Sequence, residues 1–203
     1  MALVSSYDGF IFDFGGVLVH HQTDADQAKM ARIASMPVES FAEGYWAKRL
    51  EYDKGLLTAH EYWYDVGKSS GTVLPADVMD KLSEVDAKSW MHFDQVMWDW
   101  IVQLRAAGKR VALLSNMPLE IGLELKSRPD RVGHFDHVTL SYELKAAKPE
   151  PAIYEECLEG IGTAADKTIF FDDRIANVQG AEMLGMHAIE FLNRDDVLLR
   201  MTA

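Results

Sequence analysis

Cysteine is nearly absent from this chain of 203 residues, where Cys157 stands alone. No disulfide can close within it, and a reducing compartment suits it. The apolar rhythm of Ile153, Tyr154, Leu158 and Ile161 around that cysteine predicts a core position. Positive charge is scarce as well. Twenty Lys and Arg face 32 Asp and Glu, a formal net charge of −12 with histidine neutral, and the basic residues form no cluster. Binding nucleic acid or an anionic membrane requires a basic face, so neither partner is expected. No apolar run approaches the ~20 residues of a membrane span. Met1 to Tyr7 holds no basic stretch leading into an apolar one, and a cytoplasmic location is the expectation.

What is present is the composition of a folded domain. With 48 % hydrophobic and 26 % charged residues, the chain is neither disordered nor fibrous, and its length is ample for a sizeable core. Most of the acidic excess reads as a solvated surface, although clustered carboxylates also attract divalent cations.

Short runs rich in Ile, Val, Phe and Leu alternate with amphipathic stretches, which predicts an α/β fold with a parallel sheet. Candidate strands are residues 9–14 (GFIFDF), 110–115 (RVALLS), 137–141 (HVTLS), 168–172 (TIFFD) and 187–191 (HAIEF). Such near-continuous apolar runs suit strands covered by helices on both faces. Helices are predicted over 93–107, stopped by Gly108, over 149–158 with Pro149 in the first turn, and over 175–184 with Gly185 as the stop. The interval 21–89 has helical signals and no convincing strand. Thr58 and Glu61 form a capping box ahead of Tyr62, Trp63 and Val66, and Pro37 and Pro75 precede helical stretches at 38–50 and 76–89. The organisation expected is a Rossmann-like core, 1–20 and 90–203, interrupted by an all-helical cap, 21–89.

In a doubly wound sheet, ligands bind outside the carboxyl ends of the strands. Polar residues cluster at four such ends. The first run leads into Asp13, then Gly15 and Gly16, which permit close backbone approach. The second ends in Ser115 and Asn116, and Lys148 follows the third. The fourth ends in Asp172 and Asp173, with Asn177 one turn further on. Two adjacent carboxylates behind an apolar strand are costly unless a cation or hydrogen bonds compensate. Together the set supplies a nucleophile, a metal cage, a cation and hydrogen-bond donors.

In this order, DFGGVLV, LLSN, KP and FFDDRIANV resemble the four motifs of the haloacid dehalogenase (HAD) superfamily. AKPEPAIYEECLEGIG and GAEMLGMHAI reinforce the likeness, which covers nearly the whole chain. Within the superfamily the sequence is similar to small bacterial sugar-phosphatase-like hydrolases whose first motif is D-x-G-N or D-x-G-G. The resemblance implies a Mg²⁺-dependent phosphatase acting on a small phosphorylated metabolite. Asp13 would attack the phosphorus and form an aspartyl-phosphate that water hydrolyses. Mg²⁺ would be held by Asp13, the backbone carbonyl of Gly15 and Asp173, with Asp172 acting through a bound water. Ser115 and the Asn116 backbone would bind phosphoryl oxygens, and Lys148 would neutralise charge.

One position departs from the pattern. Most phosphatases of the superfamily carry a second aspartate two residues after the nucleophile, as general acid and base, and here that residue is Gly15. Three explanations stand open: another acid, with His20 and His21 placed to serve; a leaving group that needs little protonation, such as a sugar 1-phosphate; or a degenerate member that binds a phosphorylated ligand with little turnover. Metal-independent 2-haloacid dehalogenation is a further alternative, against which the Asp172–Asp173 pair argues. The cap is expected to select the substrate through the cluster Tyr45, Trp46, Arg49 and Tyr52, with Trp46 and Arg49 as substrate-binding residues for a sugar ring or a second anionic group.

Overall fold

The computed structural model describes residues 3–202. Met1, Ala2 and Ala203, which the expected core segments include, lie outside the described residues.

Five parallel strands form one sheet in the order β3-β2-β1-β4-β5. They are β1 (Gly9–Phe12), β2 (Arg110–Ser115), β3 (His137–Leu140), β4 (Thr168–Asp172) and β5 (His187–Glu190). In register, Phe12 pairs with Leu113 on one side and Phe171 on the other. Strand β1 is therefore central, and the winding reverses beside it, which opens a crevice at the carboxyl ends of β1 and β4. Side chains alternate across the sheet. Phe10, Phe12 and Phe171 enter one core with Trp98, Trp100 and Ile101. Ile11 and Phe170 enter the other with Ala112, Ile153, Tyr154 and Cys157.

Between β1 and β2 the chain forms α1 (Asp24–Ile33), α2 (Val38–Ala47), α3 (Arg49–Asp53), α4 (Ala59–Ser69), α5 (Ala76–Ser89) and α6 (Gln95–Ala106). The first five carry a core of their own, with Met30, Phe41, Tyr45, Tyr62, Trp63 and Leu82 at its centre. Capping boxes open α1 at Thr23 and α4 at Thr58. The chain enters and leaves this layer side by side: Val19 bridges Phe93, and the His20 amide donates to the His92 carbonyl at 2.8 Å. The remaining helices are α7 (Leu119–Lys126), α8 (Pro129–Val132), α9 (Ser141–Leu144), α10 (Pro151–Ile161), α11 (Ile175–Glu182) and α12 (Arg194–Thr202). None of the helices among the described residues is long and apolar enough to cross a membrane.

The structure shifts several expected boundaries. Strand β1 ends at Phe12, because beyond it the Phe14 carbonyl accepts from the amides of Leu18 and Val19 and curls the chain back. The stretch 38–50 is broken at Lys48, whose backbone (φ −125°, ψ 22°) lies outside the helical well. Helix α10 begins at Pro151, so Pro149 stands before it rather than in its first turn, and the helix runs on to Gly162 at φ 72°. Asp94 caps α6 by accepting from the amides of Val96 and Met97.

Candidate active site

The four strand ends deliver their polar residues to one place. Asp13 follows β1, and its Oδ1 accepts from the Phe14 amide at 2.6 Å. Lys148 reaches across beneath it, with Nζ 2.7 Å from Asp13 Oδ1 and 2.7 Å from Asp172 Oδ2. It also donates to the Leu114 carbonyl at 3.1 Å. Asn116 holds the lysine backbone from both sides: its Nδ2 donates to the Lys148 carbonyl at 3.0 Å, and its Oδ1 accepts from the Lys148 amide at 2.8 Å. Burial opposes the charge on Lys148, but the Asp13 and Asp172 carboxylates outweigh it and raise its pKa above the ordinary lysine value.

The two adjacent aspartates at the end of β4 are placed differently. Asp172 is fully buried. Besides Lys148, it accepts from the Arg174 amide at 2.8 Å and from Asn177 Nδ2 at 2.9 and 3.0 Å. Asn177 is fixed in turn by Tyr154, whose hydroxyl donates to its carbonyl at 2.9 Å. Asp173 instead lines the cavity with Asp13, Gly15, Ser115, Asn116 and Lys148, and its Oδ2 lies 3.0 Å from His21 Nε2.

Asp13, Asp172 and Asp173 each bring an oxygen within 4.8 Å of the others. Burial above all, and then the neighbouring carboxylates, push the Asp13 pKa up to about 7 although Lys148 pulls it down. Three carboxylates against one lysine leave excess negative charge in a site of hard oxygen donors. That donor set fits a divalent cation such as Mg²⁺.

The cavity, about 220 Å³, lies between the sheet's carboxyl edge and the helical layer above it. Trp46 and Arg49 line it, so both expected substrate-binding residues reach the wall. Their surroundings differ. Trp46 is half exposed, whereas Arg49 is buried between Asp53, with Nε 2.7 Å from Oδ1, and Asp86, with Nη1 3.3 Å from Oδ2. It also donates to the Tyr45 hydroxyl. Two carboxylates already answer its charge, which makes it a poor receptor for a second anionic group. The other two members of that cluster, Tyr45 and Tyr52, are buried in the cap's own core. His20 lies 4.0 Å from Asp94 and apart from the residues that line the cavity. Only its neighbour His21 lines the cavity, and the bond to Asp173, against burial, raises the His21 pKa.

Among the further residues that line the same space are Asp53, Trp90 and Arg174. Arg174, next to the aspartate pair at a strand end, carried a readable signal. Asp53 and Trp90 carried none, since only the fold of the cap brings them to Asp13.

Residues 7–185 match the family described as haloacid dehalogenase-like hydrolase. A phosphatase of Mycobacterium tuberculosis is 27 % identical over 195 residues, spanning 90 % of this chain and 86 % of that protein. The D-ribitol-5-phosphate phosphatase of Bacteroides thetaiotaomicron is 26 % identical over 198 residues, 92 % of each. Among solved structures, a HAD family enzyme of B. thetaiotaomicron in complex with magnesium and inorganic phosphate superposes with a TM-score of 0.71 at 25 % identity. The overlap covers 90 % of this chain and 93 % of that one.

Proposed function

Since the chain belongs to the haloacid dehalogenase-like hydrolase family, we propose that it is a Mg²⁺-dependent phosphatase of small phosphorylated metabolites, working through an aspartyl-phosphate on Asp13. The observation that carries this reading is the juxtaposition of Asp13, Asp173 and Lys148 at the floor of one cavity.

Asp13 is the nucleophile, and Lys148 holds its carboxylate in place at 2.7 Å. Asp172 and Asn116 position the lysine side chain and backbone respectively. Ser115 and the Asn116 amide donate to the phosphoryl oxygens as charge develops on them. Mg²⁺, held by Asp13, Asp173 and the Gly15 carbonyl with Asp172 behind them, would offset the repulsion between the carboxylate and the phosphoryl group. Trp46 and the cap above it enclose the rest of the substrate.

The test is phosphate release from a broad panel of phosphomonoesters, with and without EDTA, beside Asp13→Asn. EDTA-sensitive release that Asp13→Asn abolishes is the expected result. No release from any member overturns the proposal. A second reading, phosphate-ligand binding with little turnover, is favoured by Gly15 at the position of the usual acid. It would show as Mg²⁺-dependent binding of inorganic phosphate by calorimetry, with Asp13→Asn no less active than the parent.

A further inference from the structure

The backbone at Gly15 faces an indole. A β-carbon added to Gly15 would lie 3.1 Å from Cζ3 of Trp90, 3.6 Å from Cε3 and 3.9 Å from Cη2. Any side chain at this position would meet the six-membered ring within a bond or two. The indole is held in place. Trp90 stands at the end of α5, where the cap returns to the core, and its Nε1 donates to the Tyr45 hydroxyl at 3.2 Å. Tyr45 donates onward to Asp86 at 2.7 Å, and the Arg49 guanidinium sits 5.8 Å from the Trp90 ring centroid. The space beside the nucleophile is therefore filled by a fixed aromatic surface with no proton to give.

Lys148, Asp53 and His21, which also line the cavity, are each paired. Lys148 is shared between Asp13 and Asp172. Asp53 is paired with Arg49, and arginines such as Arg49 and Arg174 do not give up a proton. The His21 ring nitrogen Nε2 is directed at Asp173.

Building on the phosphatase reading, we infer that this site acts on phosphoesters whose leaving oxygen departs as a stabilised anion, and that Trp90 closes the position from which a general acid would act. Acyl, enol and anomeric phosphates belong to this class, and phosphate esters of simple primary alcohols do not. In the first step a bond forms between Asp13 Oδ and phosphorus while the bond from phosphorus to the leaving oxygen breaks. Its electron pair goes to that oxygen, which is protonated afterwards by solvent water. In the second step a water oxygen attacks phosphorus and the bond to Asp13 breaks. The carboxylate is regenerated, and the water's protons pass to phosphate and solvent.

The experiment measures kcat/KM, which reports the first step, for aryl phosphates of graded acidity, and for glucose 1-phosphate against glucose 6-phosphate. General acid catalysis is worth about 10²–10⁴-fold, so kcat/KM is expected to fall by about that much from the most acidic leaving group to a primary alcohol. The solvent deuterium isotope effect is expected to stay close to unity. Gly15→Asp alone is expected to be impaired by the indole, whereas Gly15→Asp with Trp90→Ala flattens the dependence and raises turnover of glucose 6-phosphate relative to glucose 1-phosphate. A flat dependence in the parent protein overturns the inference and leaves the phosphatase reading standing. No phosphate release from any substrate overturns both.

Discussion

The ammonium of Lys148 and the carboxylate of Asp172 face each other at 2.7 Å with side-chain exposures of 1 % and 0 %. Such a contact is weak evidence for net stability, because both charges were taken out of water, but breaking it strands one of them. The same lysine touches Asp13, so the pair fixes the direction from which the Asp13 charge is answered.

The two adjacent aspartates should therefore fail in different ways. Asp172→Ala leaves a buried lysine and is expected to cost about 3–5 kcal/mol in urea denaturation. Asp173→Ala, at a partly exposed position, is expected to change stability little and to weaken Mg²⁺ binding in calorimetry. Equal losses of stability would contradict this division.

Asp13 makes metal-free stability depend on pH. Its pKa is raised from the ordinary 3.8 to about 7, so between these values the folded state binds more protons than the unfolded one. By linkage, the contribution of this group falls as pH rises through that window. With EDTA present, Asp13→Asn is expected to gain stability relative to the parent as pH rises from 3.8 to about 7, and Mg²⁺ should stabilise the parent more than the variant. Melting temperatures of both proteins across this range are the check.

Gly16 stands at φ 77°, and a β-carbon there would meet Asp173 Oδ2 at 2.6 Å and His21 Nε2 at 2.7 Å. Gly16→Ala is expected to displace Asp173 and lower Mg²⁺ affinity by about 10–100-fold, the range seen when partners of metal ligands are disturbed. Gly185→Ala is the control, since φ is 82° there and the nearest atom stands 4.0 Å away. It should show the backbone strain and bind Mg²⁺ normally.

Arg49→Met would leave Asp53 and Asp86 facing each other unanswered and is expected to cost about 3–5 kcal/mol in chemical denaturation. Arg49→Lys should rescue little, because a single ammonium lacks the fork that serves Asp53, Asp86 and Tyr45 together. Adding Asp86→Asn to Arg49→Met should recover part of the loss.

The strands were legible because central parallel strands are buried on both faces and read as unbroken apolar runs, as in Phe10, Ile11 and Phe12 or Ile169, Phe170 and Phe171. Capping chemistry is equally local, which is why Thr58 and Glu61 marked the start of α4. The break at Lys48 and the exchange of Pro149 for Pro151 at the start of α10 were not legible, since helix boundaries depend on what each end packs against. His20 and His21 could not be told apart from sequence either. Adjacent side chains in extended chain point to opposite sides, and the cap's attachment decides which one enters the site.

By itself the sequence determined the order of the chemistry: a carboxylate, a hydroxyl with an amide, a lysine and an aspartate pair, each following an apolar run and hence near one edge of a parallel sheet. Only the tertiary structure decided how those groups share the work. Asp172 went to the lysine and Asp173 to the cavity, since successive side chains of an extended chain point to opposite sides. Trp90, 75 residues from Gly15 along the chain, came to fill the space beside it because the cap folds on its own core and returns to the sheet next to where it left.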